Sequence, residues 1–192
     1  MSRAGSYGMD FGSFAMVGQD GLWLRSAMIQ RPEQERIGVI GLGLMGTALT
    51  ERLLDHGYGV AVWNRTREKA APLIAKGAQW SDSPLADCRR VIISLFTSEV
   101  VAEVLQQMDA GLQPGQIIVD TTTGEPEQTT ALGKRLAARG VRYLDAPISG
   151  SSKQTRDGEA TVIAGGDRAT FDACADLWRV IGAKVFHVGP CG

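Results

Sequence analysis

A chain of 192 residues, 44% hydrophobic and 21% charged with a net charge of -1, has room for one well-buried domain and an appendage. The charge balance excludes a basic nucleic-acid surface, and no apolar run approaches the ~20 residues of a membrane span, so the expected partners are small molecules or protein. Cys88, Cys174 and Cys191 are odd in number and lack metal-ligand spacing, which points to reduced thiols packed in the core of a cytoplasmic protein.

Residues 1–36 differ from the rest. They are rich in Gly and Ser, show no sustained period, and place Asp10, Gln19 and Asp20 where a signal peptide needs an uninterrupted apolar stretch. The segment reads as a disordered leader, and Met28 is an alternative start just upstream of Gln30-Arg31-Pro32-Glu33.

The run Ile37-Gly38-Val39-Ile40-Gly41-Leu42-Gly43-Leu44-Met45-Gly46 reads as a buried strand that empties into a glycine turn opening a helix, with Met45, Ala48, Leu49 and Leu53 at helical spacing. Each glycine has its own physical reason to be there. Gly41 takes the tight turn, Gly43 lies beside a pyrophosphate, and Gly46 lets helix pack closely on strand. The free amides at the helix start then face the phosphates. A dinucleotide site is the expected result, built by Gly41, Leu42, Gly43, Leu44, Met45 and Gly46.

A helix at about 44–56 and a cap at Gly57 lead to a second strand, Val60-Ala61-Val62-Trp63, which ends on Asn64-Arg65-Thr66. An NAD site usually carries Asp or Glu here, on the ribose hydroxyls. A carboxylate ~4 Å from a 2′-phosphate would cost on the order of 4 kcal/mol at an effective dielectric of ~20. Neutral Asn64 removes that repulsion, Arg65 can stack on adenine and fork onto the phosphate, and Thr66 adds a donor. NADP is expected, with NAD less favoured.

Further along, a helix is expected over about 66–75, a short helix with Ser83 as N-cap and Pro84 at its first position, and a buried strand at Val91–Leu95. Val100, Val101, Val104, Leu105 and Met108 mark the next helix, Ile117–Val119 a strand, 126–138 a helix and Val141–Leu144 a strand. This alternation predicts an α/β fold, a Rossmann-type doubly wound, mainly parallel sheet. Strands at Ala160–Ala164 and Ala183–Phe186, flanking a helix after Asp167, are expected to extend it by two.

In such a sheet the ligand lies at the carboxyl ends of the strands, where the strand order reverses. Three segments end there: Ser94-Leu95-Phe96-Thr97, Asp120 to Pro126, and Asp145 to Ser152. Their hydroxyls and loop amides suit an anionic substrate or a carboxamide, and they supply no strong base.

Gly41 to Gly46, Trp63-Asn64-Arg65-Thr66, Asp120 to Pro126 and Asp145 to Gly150 together resemble the β-hydroxyacid dehydrogenases, the group of 3-hydroxyisobutyrate, tartronate semialdehyde and 6-phosphogluconate dehydrogenases. The resemblance covers residues 37–192. It implies an oxidoreductase transferring hydride between a nicotinamide cofactor and a small 3-hydroxy acid or semialdehyde. Leu95, Phe96 and Thr123 would line the nicotinamide half, Thr97 would also bind the cofactor, and Ser149, Gly150 and Ser151 would hold the substrate carboxylate. Ser151 stands where the family commonly has glycine.

Family members continue from a stretch like His187 to Gly192 into a long helix with a catalytic lysine, then an all-helical domain that closes the site and forms the dimer. The resemblance therefore implies a chain shortened before the lysine, with no catalytic residue of its own. It should bind NADP better than it turns substrate over, and should lack the family dimer and expose apolar surface near Val185, Phe186 and Val188. Lys153 and Lys184 do not match the lysine motif and are expected in solvent; His56 and His187 are expected to be structural. Two other readings stay open: an NADP-binding module without catalysis, and a relative of the imine reductases, which share a similar Trp-Asn-Arg-Thr signature. Ser149-Gly150 after Asp145-Ala146-Pro147 favours the hydroxyacid branch over the imine one.

Overall fold

The computed structural model describes residues 35–192. The expectations for a leader over 1–36 and for a start at Met28 lie outside these, except for Glu35 and Arg36, which are exposed. Among the described residues nine strands make one sheet: β1 (Ile37–Ile40), β2 (Val60–Trp63), β3 (Gln79–Trp80), β4 (Arg90–Ile93), β5 (Ile117–Asp120), β6 (Arg142–Asp145), β7 (Ile148–Ser149), β8 (Thr161–Gly166) and β9 (Lys184–Gly189). The order is β3-β2-β1-β4-β5-β6-β8-β7, with β9 also pairing with β8. From β3 to β6 every pairing is parallel, whereas β8 runs antiparallel to β6 and β7 and parallel to β9.

The parallel half is the doubly wound sheet expected. Chain order reverses between β1 and β4, because helix α1 (Leu44–Asp55) carries the chain to β2 while β4 lies on the opposite side of β1. Period-two alternation distributes each strand between two cores. Ile92 and Val119 face one with Leu49 and Leu53 of α1. Val91, Ile93 and Ile118 face the other, with Val101 and Leu105 of α4 (Ser98–Gln107) and Leu132 and Leu136 of α5 (Pro126–Ala137). Cys174 and Cys88 are buried in these cores, one in each, their thiols pushed up to about 11 by burial, and all three cysteines are unpaired.

The antiparallel half departs from expectation in number. Three strands extend the sheet rather than two, because Ile148-Ser149 also pairs with β8. The short helix expected from Pro84 forms as α3 (Pro84–Asp87), with Ser83 at its N-cap position, while two other helices differ. The segment expected as one helix over 66–75 is a 3-10 turn at Arg67–Ala70 followed by α2 (Ala71–Ile74). Pro72 has no amide to continue the first turn, so the helix restarts with proline at its beginning. The helix after Asp167 divides into α7 (Arg168–Asp172) and α8 (Ala175–Ile181). Here the Trp178 indole N–H donates to the Phe171 carbonyl at 2.8 Å, taking the acceptor that a continuous helix would offer to residue 175.

Candidate cofactor site

The turn between β1 and α1 is built as its glycines require. Gly41 has φ +98°, and a Cβ there would lie 2.2 Å from the Ser94 carbonyl oxygen. A Cβ on Gly46 would lie 1.8 Å from the Gly41 carbonyl oxygen, so this glycine lets the first turn of α1 sit against the loop before it. Among the described residues a Cβ on Gly43 would meet nothing within 4 Å, and no side chain caps the helix start. Open space against uncapped helix amides fits a pyrophosphate. Leu42 is buried, Leu44 is 83% exposed, and Met45 turns away from the opening, its sulfur accepting from the Thr155 hydroxyl at 3.1 Å.

At the end of β2, Asn64 does more than avoid a charge. Its Oδ1 accepts from the Leu42 amide at 2.9 Å and its Nδ2 donates to the Thr66 carbonyl at 2.9 Å. The carboxamide thus joins the glycine turn to the loop after β2. Arg65 and Thr66 are exposed beside it. Among the described residues Arg65 has no hydrogen-bond or ion-pair partner, which leaves its guanidinium free for a ligand.

Across the switch point the loops after β4 and β5 are laced together. Thr121 Oγ1 donates to the Ile93 carbonyl at 2.8 Å, the Leu95 amide donates to Thr122 Oγ1 at 3.1 Å, and the Glu125 amide donates to Ser98 Oγ at 2.9 Å. Thr97 caps α4, accepting from the Val100 amide. Phe96 is 90% exposed and Thr123 is exposed, so of the cofactor residues expected here these two face solvent, while Leu95 is half-buried and Thr97 is held by its cap. Under this loop lies Asp120, buried, accepting from the Thr122 amide at 2.9 Å and the Tyr143 hydroxyl at 2.8 Å. Burial pushes its carboxyl from an ordinary 3.8 to about 6, against the pull of the Thr122 and Tyr143 hydrogen bonds.

Sequence reading missed the Asp120–Tyr143 pair. The signal was present in Ile117-Ile118-Val119-Asp120, a carboxylate at the end of an otherwise apolar buried strand.

Ser149 ends β7, and Gly150 follows with φ +151°. Both are exposed. Ser151 is the N-cap of α6 (Ser152–Asp157), its hydroxyl accepting from the Gln154 amide while the Gln154 side chain accepts from the Ser151 amide. A serine here in place of the common glycine is therefore accounted for locally, and among the described residues its hydroxyl hydrogen has no acceptor. Helix α6 also packs on α1: Arg156 pairs with Glu51, and Arg52 donates to the Arg156 carbonyl at 3.2 Å.

The lysines and histidines considered as a base are placed as follows. Lys153 is exposed and paired with Asp157 at 2.5 Å, and Lys184 is exposed. His56 contacts the Arg52 carbonyl at 2.8 Å; His187 contacts the Gly166 carbonyl at 2.8 Å and packs on Phe171. Among the described residues no group of His, Cys, Asp or Glu is placed to hold a metal ion, and no helix is long and apolar enough to cross a membrane.

A parallel sheet with a glycine turn at its switch point, an open helix start and a polar triplet ending the second strand is a Rossmann-type dinucleotide-binding domain. The chain belongs to the family of the NAD binding domain of 6-phosphogluconate dehydrogenase, which matches residues 36–189. It is 30% identical over 189 residues to the cytokine-like nuclear factor N-PAC of Xenopus tropicalis, covering 95% of this chain and 35% of that protein. The chain thus spans about a third of the length of that relative. Among solved structures, Mycobacterium tuberculosis 3-hydroxyisobutyrate dehydrogenase with L-serine superposes with a TM-score of 0.78 at 25% identity, over 82% of this chain and 55% of that one. Psf3 in complex with NADP+ and 2-OPP superposes with a TM-score of 0.76 at 34% identity, over 80% and 56%. The family is one of nicotinamide-dependent oxidoreductases.

Proposed function

We propose that this chain binds NADP in preference to NAD and forms the cofactor-binding part of an oxidoreductase for a small 3-hydroxy acid or the corresponding semialdehyde. The observation that carries the cofactor choice is the end of β2, where a neutral Asn64 tied into the glycine turn stands beside a free, exposed Arg65. The NADP+ in the Psf3 complex supports it. For the substrate, support comes from the L-serine in the 3-hydroxyisobutyrate dehydrogenase structure, since serine is itself a 3-hydroxy acid. Ser149, the Gly150 amide and the free hydrogen of Ser151 are donors for its carboxylate.

When bound, the nicotinamide supplies the hydride acceptor or donor. The chain's own residues bind and orient: the turn Gly41–Gly46 takes the pyrophosphate, Arg65 and Thr66 the 2′-phosphate, and Leu95, Phe96, Thr97 and Thr123 the nicotinamide side. Oxidising an alcohol also requires a proton acceptor on its hydroxyl, usually a contribution of about 10²- to 10⁴-fold. Lys153 is paired with Asp157, Lys184 is exposed, and His56 and His187 are engaged by the Arg52 and Gly166 carbonyls, so none is assigned that role.

Calorimetric titration with NADPH and NADH tests the reading. NADPH should bind more tightly. Arg65→Ala should lose about 10- to 100-fold in NADPH affinity, the worth of charge-assisted hydrogen bonds, and little in NADH affinity. Equal affinities in the parent chain would sink the cofactor assignment. With NADP and 3-hydroxyisobutyrate, glycerate or serine, turnover by the 192-residue chain should stay near background. Robust turnover would move the search for a base to Thr122, Lys153 or His187.

A second reading, an NADP-binding module without catalysis, is favoured by the likeness to N-PAC, which is named as a nuclear factor rather than for a reaction. A 3-hydroxy acid that tightens NADPH binding supports the enzyme reading; no linkage between the two supports the module.

A further inference from the structure

Asp120 ends β5 directly beneath the crevice and is 4% exposed, yet the proposed function gives it no contact with any ligand. Its two oxygens are spent in opposite directions. Tyr143 on β6 donates to Oδ2 at 2.8 Å, and the Thr122 amide donates to Oδ1 at 2.9 Å. The Thr122 hydroxyl in turn accepts from the Leu95 amide at 3.1 Å, in the loop after β4. The carboxylate is therefore the anchor of a relay from β6 through the β5 loop to the β4 loop.

We propose that Asp120 is a positioning residue, whose ionised carboxylate holds the Thr122 turn and through it Leu95, so that the nicotinamide side of the crevice, and not the adenine side, loosens in acid. This rests on the reading of the crevice as an NADP site. The adenine side is held by separate bonds, those of Asn64 to Leu42 and Thr66, which contain no titrating group.

The groups facing Asp120 give the direction. In the β-ladder it lies between Ile93 of β4 and Asp145 of β6. Its register neighbour on β4 is the apolar Ile93, and through Thr122 it reaches the neutral Leu95 amide. From β6 it meets the Tyr143 phenol, whose own titration burial pushes far upward, and the half-buried Asp145 carboxylate, which accepts from the Gly192 amide at 3.3 Å. The Cys191 thiol lies behind them, also shifted upward by burial. Burial first, and then the neighbouring Asp145, raise the Asp120 carboxyl to about 6, so it takes up a proton in mild acid. A neutral carboxyl then offers the Thr122 amide only an uncharged acceptor, the weaker kind.

The test uses the 192-residue chain and two ligands: NADP+, and 2′-phospho-ADP-ribose, which is NADP without the nicotinamide. Both carry the same 2′-phosphate and pyrophosphate, so phosphate titration cancels in the ratio of their affinities. Measured by calorimetry from pH 8 to pH 5, the advantage of NADP+ should fall about tenfold, the worth of one hydrogen bond to a charged group, with a midpoint near 6. In Asp120→Asn the advantage should be low and flat across the range. In Tyr143→Phe, which removes a bond that holds the carboxyl down, the midpoint should move to higher pH. A purely structural role would weaken both ligands together and leave the ratio unchanged.

A flat ratio in the parent chain overturns the inference, as does an Asp120→Asn variant with the parental ratio. If Asp120→Asn fails to fold, the parent profile and Tyr143→Phe decide by the same criteria. Failure of both ligands to bind at pH 7.5 overturns the cofactor site itself and the inference with it. Binding of both with a flat ratio overturns the inference alone.

Discussion

At the scale of single residues, the polar triplet after β2 separates into two jobs. Asn64 holds the glycine turn, because its Oδ1 satisfies the amide of Leu42, a buried residue. Arg65 is exposed beside it, and on the proposed function it is the residue that reads the 2′-phosphate. Asn64→Ala should leave that amide without its partner, at a cost of about 1–3 kcal/mol, and should weaken NADPH and NADH by similar factors, unlike Arg65→Ala. A loss confined to NADPH would show that Asn64 reads the phosphate itself. Asp120 also fixes a sign for stability. With a folded value of about 6 against an ordinary 3.8, the folded chain binds more protons than the unfolded one between those values. Stability from this group is greatest in acid and falls as pH rises through about 4 to 6. Asp120→Asn should flatten that part of the curve in chemical denaturation across pH, and a parental slope retained in the variant would assign the dependence to another group.

At the scale of elements, two glycines of the same turn should respond differently to one added methyl group. Gly46→Ala places Cβ 1.8 Å from the Gly41 carbonyl oxygen, so α1 must shift. Overpacking at such a contact costs about 3 kcal/mol, and both stability and nucleotide binding should drop. Gly43→Ala meets nothing within 4 Å and changes only an uncapped helix start, at about 1 kcal/mol or less. It should keep the fold while blocking the pyrophosphate. Melting curves beside nucleotide titrations check the pair; similar melting losses in both would mean that the turn tolerates no change for reasons unrelated to the ligand. The longer elements were legible because their signals extend over several residues: Val91-Ile92-Ile93 is an apolar run that the structure divides between the two cores, and α5 begins at Pro126 as expected. The two-residue strands β3 and β7 were not, since two residues carry no period and are strands only through their partners.

For the whole molecule, β9 lies at one edge of the sheet, pairing among the described residues with β8 alone. On one face of this edge Phe186 is 53% exposed, Val188 62% and Ile163, paired in register with Phe186, 40%. An apolar strip on an edge strand favours self-association. Light scattering of the 192-residue chain should show weak, concentration-dependent association that Phe186→Lys reduces, and an unchanged profile in that variant would place the contact elsewhere. NADPH should raise the melting temperature by mass action, by about 2.7 kcal/mol of stability at a hundredfold excess over Kd. A melting point indifferent to NADPH would mean that the nucleotide does not bind the folded chain.

The sequence by itself determined the parallel α/β core, the glycine turn and the polar triplet after β2. Those features are local: a strand, a turn and a helix start lie within about ten residues of one another, and their residue types have few other uses together. The tertiary structure decided which polar groups are free. Asn64 meets Leu42 across 22 residues, Leu95 meets Thr122 across 27, and Tyr143 meets Asp120 across 23. Arg90, buried at the start of β4, finds Asp176 of α8 at 2.7 Å and Glu35 at 3.0 Å. A hydroxyl, carboxamide or carboxylate looks equally available for a ligand in any sequence. Whether it is already spent depends on a partner that only the ordering of strands brings within hydrogen-bond distance, because buried polar groups must be satisfied and the fold chooses by what.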